Sequence, residues 1–223
     1  NKGADDLVLL GIPTRGALNM HGSLLPKYRG RVPVNWAVLH GERETGASLH
    51  YMEIKPDAGN LVAQTAVPIL GDDTAFEVFQ KVTVAAELTL ARALPQLIAG
   101  TAPSVPLNLK AGSYFSGRKS EDGRIDWTRT AAEVNNLVRA VAPPYPGAFA
   151  DLGSKRIIVA RARVAAAEAT SSVPVAGQIA RMSNGSLGFV CGDGKLLIPL
   201  RLIVEDKTLD ASASQTWLAT VKQ

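Results

Sequence analysis

The chain has 223 residues, of which 46% are hydrophobic, and 24 Lys+Arg stand against 20 Asp+Glu for a formal charge of +4. Such a chain can bury a sizeable core in one large domain or two small ones, and its mild positive excess is too diffuse for a nucleic-acid footprint. The single cysteine, Cys191, excludes an intramolecular disulfide and a Cys-x-x-Cys metal or redox pair, and reads as a structural thiol.

Residues 6–12 (DLVLLGI) read as a short helix or strand ending at Pro13, and Ala17-Leu18-Asn19-Met20 as a short buried strand that leaves Asn19 and His21 at its C-terminal end. Pro33 in a first turn and Gly41 as a C-cap bound a helix over VPVNWAVLHG. Residues 46–53 and 61–69 read as strands flanking the loop Ile54-Lys55-Pro56-Asp57-Ala58-Gly59. The capping box Thr74-Ala75-Phe76-Glu77 opens an amphipathic helix over 75–99, with Phe79, Val82, Ala86, Leu90, Ala93 and Leu97 on its apolar stripe and Gly100 beyond its end. Phe76 and Phe79 are expected in the core. Residues 101–118, rich in Pro, Ser and Gly, read as a linker. A second capping box, Thr130 to Glu133, starts a helix through Val141 that Pro143-Pro144 stops. Short β runs at 156–164, 177–182, 187–191 and 195–204, separated by Asn184-Gly185 and Gly192-Asp193-Gly194, suggest a small barrel. No apolar run reaches the roughly 18 residues of a membrane helix, and the first residues lack signal-peptide order. No membrane insertion and a cytoplasmic location are therefore expected.

In NMHGSLLPKYRGR, an amide and an imidazole stand two residues apart. A histidine near its neutral pKa is a common general acid or base, a neighbouring carboxylate favours its charged form, and an Asn amide can donate to an oxyanion forming at a tetrahedral centre. If the segment is extended, Asn19 and His21 face the same way and could flank one carbonyl carbon. Asp57, on the Pro-Asp-Ala-Gly loop, could be the third group, with Gly59 permitting a sharp turn. Ser23 has no nucleophile-elbow motif around it, so direct acyl transfer to an amine fits better than a covalent acyl-enzyme. On residue types alone, Asn19 and His21 read equally as a loop pair bonded to nearby backbone, Asp57 as a turn residue, and Lys27, Arg29 and Arg31 as a solvated face. His40 reads as a helix-end residue and His50 as a strand-face residue.

Asn-x-His, Ser-Leu-Leu-Pro and the later Asp together resemble the folate-dependent formyltransferases that use 10-formyltetrahydrofolate. HGSLLPKYRGR with Val32-Pro33-Val34-Asn35-Trp36, TGASLHYM, DAGNLVAQ and VRAVAPPYPGAF is most similar to the branch that formylates UDP-4-amino-4-deoxy-L-arabinose, as in lipid A modification and polymyxin resistance. Methionyl-tRNA formyltransferase is the alternative; it typically has Ala at Gly22 and Trp-Arg-Gly-Ala where this chain has Tyr28-Arg29-Gly30-Arg31. The resemblance implies His21 as acid/base, Asn19 as oxyanion donor and Asp57 as the acid that raises the His21 pKa. It also implies folate contacts from Arg31 and from Glu53, Ile54, Lys55, Pro56 and Asp57, with no metal. The fold implied is α/β: a Rossmann-like catalytic domain over 1–119, followed by an OB-like barrel over 120–223. A UDP-amino sugar is the implied partner, nucleic acid is not expected, and a decarboxylase domain could be fused or associated. Relatives place several β-α units and an aromatic loop before the Asn-x-His strand, where NKGADDLVLLGIPTRG matches poorly, so the N-terminal part is expected to be incomplete.

Overall fold

The computed structural model describes residues 10–166 and 175–221, so most of the 6–12 segment lies outside the described residues. Its elements in chain order are β1 (Leu18–His21), β2 (Arg29–Gly30), α1 (Pro33–Leu39), β3 (Glu44–Tyr51), β4 (Leu61–Pro68), α2 (Ala75–Ala99), β5 (Tyr114–Phe115), α3 (Ala131–Val141), β6 (Ala148–Leu152), β7 (Lys155–Ala165), β8 (Ile179–Arg181), β9 (Leu187–Val190), β10 (Leu196–Val204), β11 (Lys207–Leu209) and α4 (Ala211–Leu218). They form two compact units. One takes in most of the chain up to Arg118; the other runs from Lys119 and includes Val38–Gly41 and Asp72–Phe76.

In the first unit, β1, β3 and β4 form a three-stranded antiparallel sheet with β3 in the middle. Side chains alternate between its faces, so Leu18, Met20 and Leu49 turn to one side, where Leu49, Val62 and Ala93 of α2 form a core cluster with Leu97 against it. The opposite face receives Asn19, His21, Ser48 and His50.

The stripe that α2 buries is Val78, Val82, Ala85, Thr89 and Ala93, at steps of three and four residues. Phe76, Phe79 and Leu90, expected inside, are exposed. Apolar residues occur all around this helix, Val84, Leu88, Leu94 and Ile98 among them, so spacing alone does not fix which stripe is buried. The same apolarity makes α2 long and apolar enough to cross a membrane by length and composition, although one stripe packs on the sheet.

Residues 101–118 are more structured than their composition suggests. Val105 bridges Leu61, a 3-10 turn spans Leu109–Ala111, and β5 pairs in parallel with β2, Arg29 against Tyr114 and Gly30 against Phe115. Gly30, at φ 100°, is required there, since a Cβ would lie 2.1 Å from the Phe115 carbonyl oxygen. A two-residue strand is too short to show periodicity. Among the described residues β2 and β5 are also the only strand pair that runs parallel.

In the second unit, Thr130 Oγ1 accepts the Glu133 N–H at 3.2 Å while Glu133 accepts the Thr130 N–H at 3.0 Å, the reciprocal cap expected for α3. The sheet runs β6-β7-β10-β9-β8 with β11 beside β10, and Pro199 sits at an irregularity of the β7–β10 ladder, where its missing donor does least harm. Val138, Ile157, Val159, Phe189, Leu197, Leu202 and Leu218 fill its core, and Cys191 is buried as a free thiol. Among the described residues of this unit, the strands β6 and β11 and the helix α4 are not expected from the sequence, the last capped by Asp210 accepting the Ala213 N–H at 2.9 Å.

Candidate active site

Pairing of β1 with β3 sets Asn19 opposite His50 and His21 opposite Ser48. Ser48 fixes the turn that follows β1: its hydroxyl donates to the Ser23 carbonyl at 2.6 Å and accepts the Leu25 N–H at 3.1 Å. Gln64, across on β4, donates to Ser48 Oγ and to the Leu25 carbonyl, both at 2.8 Å. Ser23 Oγ donates to the Lys27 carbonyl at 2.6 Å, so both serines serve the backbone.

The chain then returns past His21. The Tyr28 carbonyl lies 2.8 Å from His21 Nε2, and the Gly30 N–H donates to Asp57 Oδ2 at 2.8 Å. Two residues that grip the imidazole carry left-handed backbone, Tyr28 at φ 57° and Asp57 at φ 51°. For a bulky tyrosine this conformation is strained, and it persists only where surrounding contacts over-determine it. Tyr28 has three such contacts: its N–H donates to Ser113 Oγ at 2.8 Å, its hydroxyl to Glu42 at 2.8 Å, and its ring stacks on Phe115 at 5.4 Å. Gly59 serves the Asp57 loop by close approach, since a Cβ there would lie 2.0 Å from the Tyr51 carbonyl oxygen.

Three polar side chains meet at Asp57. Its Oδ1 is 3.5 Å from His21 Nδ1, 3.4 Å from Asn19 Nδ2 and 3.6 Å from His50 Nε2. A carbonyl only accepts, so His21 carries its proton on Nε2 toward Tyr28, and Nδ1, facing Asp57, is the nitrogen open to a further proton. By the same logic His50 donates from Nδ1 to the Tyr51 carbonyl at 2.8 Å, and its Nε2 accepts from Asn19 Nδ2 at 3.2 Å. The Asn19 carboxamide is thereby oriented, its nitrogen between a carboxylate and an imidazole lone pair. Its donor contacts of 3.2 and 3.4 Å are long enough to be shared with a further acceptor.

Burial dominates the His21 ring and holds its pKa below 6.5; the Tyr28 carbonyl and the Asp57 charge push the other way without overcoming it. The expectation that Asp57 raises this pKa therefore describes one contribution, and the net direction is downward. Burial also acts on Asp57, raising it, but hydrogen bonding from the Gly30 N–H, and from His50 in the form that carries a proton on Nε2, together with the positive charge of either imidazolium, holds the carboxyl below 3.8. Near neutrality the arrangement is an ionised carboxylate beside a neutral imidazole.

A cavity of about 310 Å³ opens on this cluster, lined by Leu10, Asn19, His50, Met52, Glu53, Ile54, Pro56 and Asp57. Glu53, Ile54, Pro56 and Asp57 from the anticipated folate set are on its wall; Lys55 and Arg31 are exposed and outside the lining. His21, 6% exposed, is reached from the cavity through Asp57. His50, read from sequence as a strand-face residue, is 1% exposed and part of the cluster. Its signal was the alternation of Ser48 and His50, which carries meaning once β3 is known to pair with β1.

A family model described as "Formyl transferase" matches residues 7–94, and one described as "Formyl transferase, C-terminal domain" matches residues 118–217. Among solved structures, the N-formyltransferase from Helicobacter canadensis, in complex with folinic acid and dTDP-3-aminofucose, is 23% identical, with TM-score 0.63 over 82% of this chain and 65% of that one. A 4-N formyltransferase from Francisella tularensis is 24% identical, with TM-score 0.54 over 59% of this chain and 55% of that one. HypX from Aquifex aeolicus, in complex with tetrahydrofolic acid, is 19% identical, with TM-score 0.64 over 91% of this chain and 35% of that one. The chain thus spans 65% or less of the length of each of these relatives, and at these identities the likeness is one of fold.

Proposed function

Because the chain belongs to the formyl transferase family, we propose that it moves a formyl group from 10-formyltetrahydrofolate to the amine of a UDP-linked amino sugar, UDP-4-amino-4-deoxy-L-arabinose, in the cytoplasm. The supporting observation is the group Asn19, His50 and Asp57 at one wall of a cavity, with His21 behind Asp57, the remaining wall being largely apolar, Leu10, Met52, Ile54 and Pro56. Such a slot suits a flat heterocycle with a reacting carbonyl at its polar end. The domain reading follows the same lines, a Rossmann-like catalytic domain over 1–119 and an OB-like domain over 120–223.

Each residue has a role in this scheme. Asn19 lends an Nδ2 hydrogen to the formyl oxygen as it gains charge under attack by the neutral amine. His21 takes the proton released by the new C–N bond on Nδ1, and Asp57, 3.5 Å away, stabilises the resulting imidazolium. His21 then returns that proton to the folate nitrogen as the old C–N bond breaks, which balances charge and regenerates the neutral ring. Arg31 and Lys55 add folate contacts from outside the cavity lining.

A substrate panel tests the reading. With 10-formyltetrahydrofolate, the purified protein should release tetrahydrofolate on addition of UDP-4-amino-4-deoxy-L-arabinose and not on addition of charged initiator methionyl-tRNA. Turnover with the tRNA alone would reassign the substrate, and turnover with neither would remove the proposal.

A further inference from the structure

Arg29 is 7% exposed, and its Nε and Nη1 are enclosed without a hydrogen-bond partner. Its one described side-chain contact is the ring of Tyr114, whose centroid lies 5.9 Å from the guanidinium carbon. Arg139, buried to the same degree, shows what such a group ordinarily finds: it donates to the Asp73 carbonyl at 3.0 Å and to Asn136 Oδ1 at 2.6 Å. A guanidinium is always charged, and taking it from water without an anion or acceptors is costly. A protein that keeps one in this state is suited to receive an oxyanion, which the planar fork can hold through two parallel hydrogen bonds.

The position says which oxyanion. Arg29 sits between Tyr28, whose carbonyl holds His21 Nε2, and Gly30, whose N–H holds Asp57 Oδ2. It therefore belongs to the segment that grips the reaction centre, yet it does not line the cavity walled by residues 52–57. Lys27 is engaged with Glu42 at 3.8 Å and Arg31 is exposed, leaving Arg29 as the enclosed cation of the cluster. In a nucleotide-linked 4-amino sugar the diphosphate lies across a single sugar ring from the amine. The glutamate carboxylates of the folate are separated from its formyl nitrogen by a longer aromatic spacer.

We propose that Arg29 is the anchor for the diphosphate of the nucleotide-linked substrate, reached when the Tyr114 ring, 55% exposed, turns aside. This rests on the sugar-nucleotide reading above. The Tyr114 ring lies over the cation, and substrate phosphate takes its place.

The experiment compares the protein with its Arg29→Met variant, similar in length and without charge. Melting is followed alone and with UDP, inorganic diphosphate or folinic acid, and affinities are taken by calorimetry. Without ligand, Arg29→Met should melt at the same or a higher temperature, because an unpaired buried charge has gone. Its affinity for UDP and for inorganic diphosphate should fall at least tenfold, as expected for losing a charge-assisted pair, and its affinity for folinic acid should change less than twofold. Should Arg29→Met not fold, the Arg29 Nε–H resonance of the unaltered protein gives the answer: it should shift and be protected from exchange with inorganic diphosphate and not with folinic acid. Unchanged UDP and diphosphate affinity, loss directed at folinic acid, or an Nε–H resonance indifferent to diphosphate would overturn the assignment. Formylation of the UDP-sugar with unchanged diphosphate affinity in the variant would sink Arg29 alone. Diphosphate capture by Arg29 without formylation would sink the substrate reading alone.

Discussion

Replacing Asp57 by Asn tests the charge arrangement with almost no change of shape. The Gly30 N–H needs an acceptor and has Asp57 Oδ2 at 2.8 Å, so the new amide should keep its oxygen there and place its NH2 where Oδ1 now stands. That NH2 would donate to His21 Nδ1, blocking the ring's open nitrogen, and would meet the Asn19 amide donor to donor. The lost attraction follows from the 3.5 Å separation of Asp57 Oδ1 and His21 Nδ1: about 5 kcal/mol at an effective dielectric of 20, about 1 kcal/mol under full water screening. With both groups largely buried, at 6% and 12% exposure, the effect lies inside this interval, so at a given pH the imidazolium population should fall by roughly tenfold or more. The His21 pKa, already below 6.5, should fall further, the acid limb of the rate profile should move to lower pH, and turnover should drop roughly 10²- to 10⁴-fold. The assays are imidazole ¹⁵N titration by NMR and formyl transfer across a pH series. An unchanged His21 titration together with an unchanged rate would refute the reasoning.

His50→Phe should lower kcat at least about tenfold by releasing the Asn19 amide, which His50 Nε2 now holds at 3.2 Å, while His50→Gln, able to accept the same N–H, should keep more activity; steady-state kinetics of the two variants decide. Both His21 and Asp57 have folded-state pKa values below their ordinary ones, so their stabilising contribution is present above about pH 6.5 for His21 and pH 3.8 for Asp57, and is lost as pH falls through the folded values. Melting temperature should accordingly decline as pH drops below 6.5, and His21→Gln should flatten the first part of that decline; an unaltered slope would contradict it. Gly59→Ala should cost roughly 2–3 kcal/mol in a denaturant titration, because the added methyl would meet the Tyr51 carbonyl oxygen at 2.0 Å.

What the sequence disclosed divides along physical lines. Elements with caps and long periods were legible: α2 and α3 follow capping-box patterns, and α2 occupies the residues its pattern marks, 75–99. Its buried stripe was not legible, because a helix apolar on every side has no preferred face until the sheet is in place, and Phe79 accordingly lies outside. Short elements such as β2, β5 and β11 escaped because two or three residues carry no period. At the candidate site, Asn19 and His21 announced themselves by their spacing on one strand, and the Asp57 loop by its turn residues. His50 and Arg29 did not, since one depends on the β1–β3 register and the other on the absence of a partner, and neither property is written locally.

The most direct measurement uses 10-formyltetrahydrofolate carrying ¹³C in its formyl group, with UDP-4-amino-4-deoxy-L-arabinose as acceptor, followed by ¹³C NMR. The unaltered protein should convert the folate formyl resonance into a new formamide resonance coupled to the sugar nitrogen, and His21→Ala should leave the folate signal in place over the same period. A formamide product formed equally fast by His21→Ala, or formate released into water in place of the sugar formamide, would contradict formyl transfer through the Asn19, His21 and Asp57 cluster.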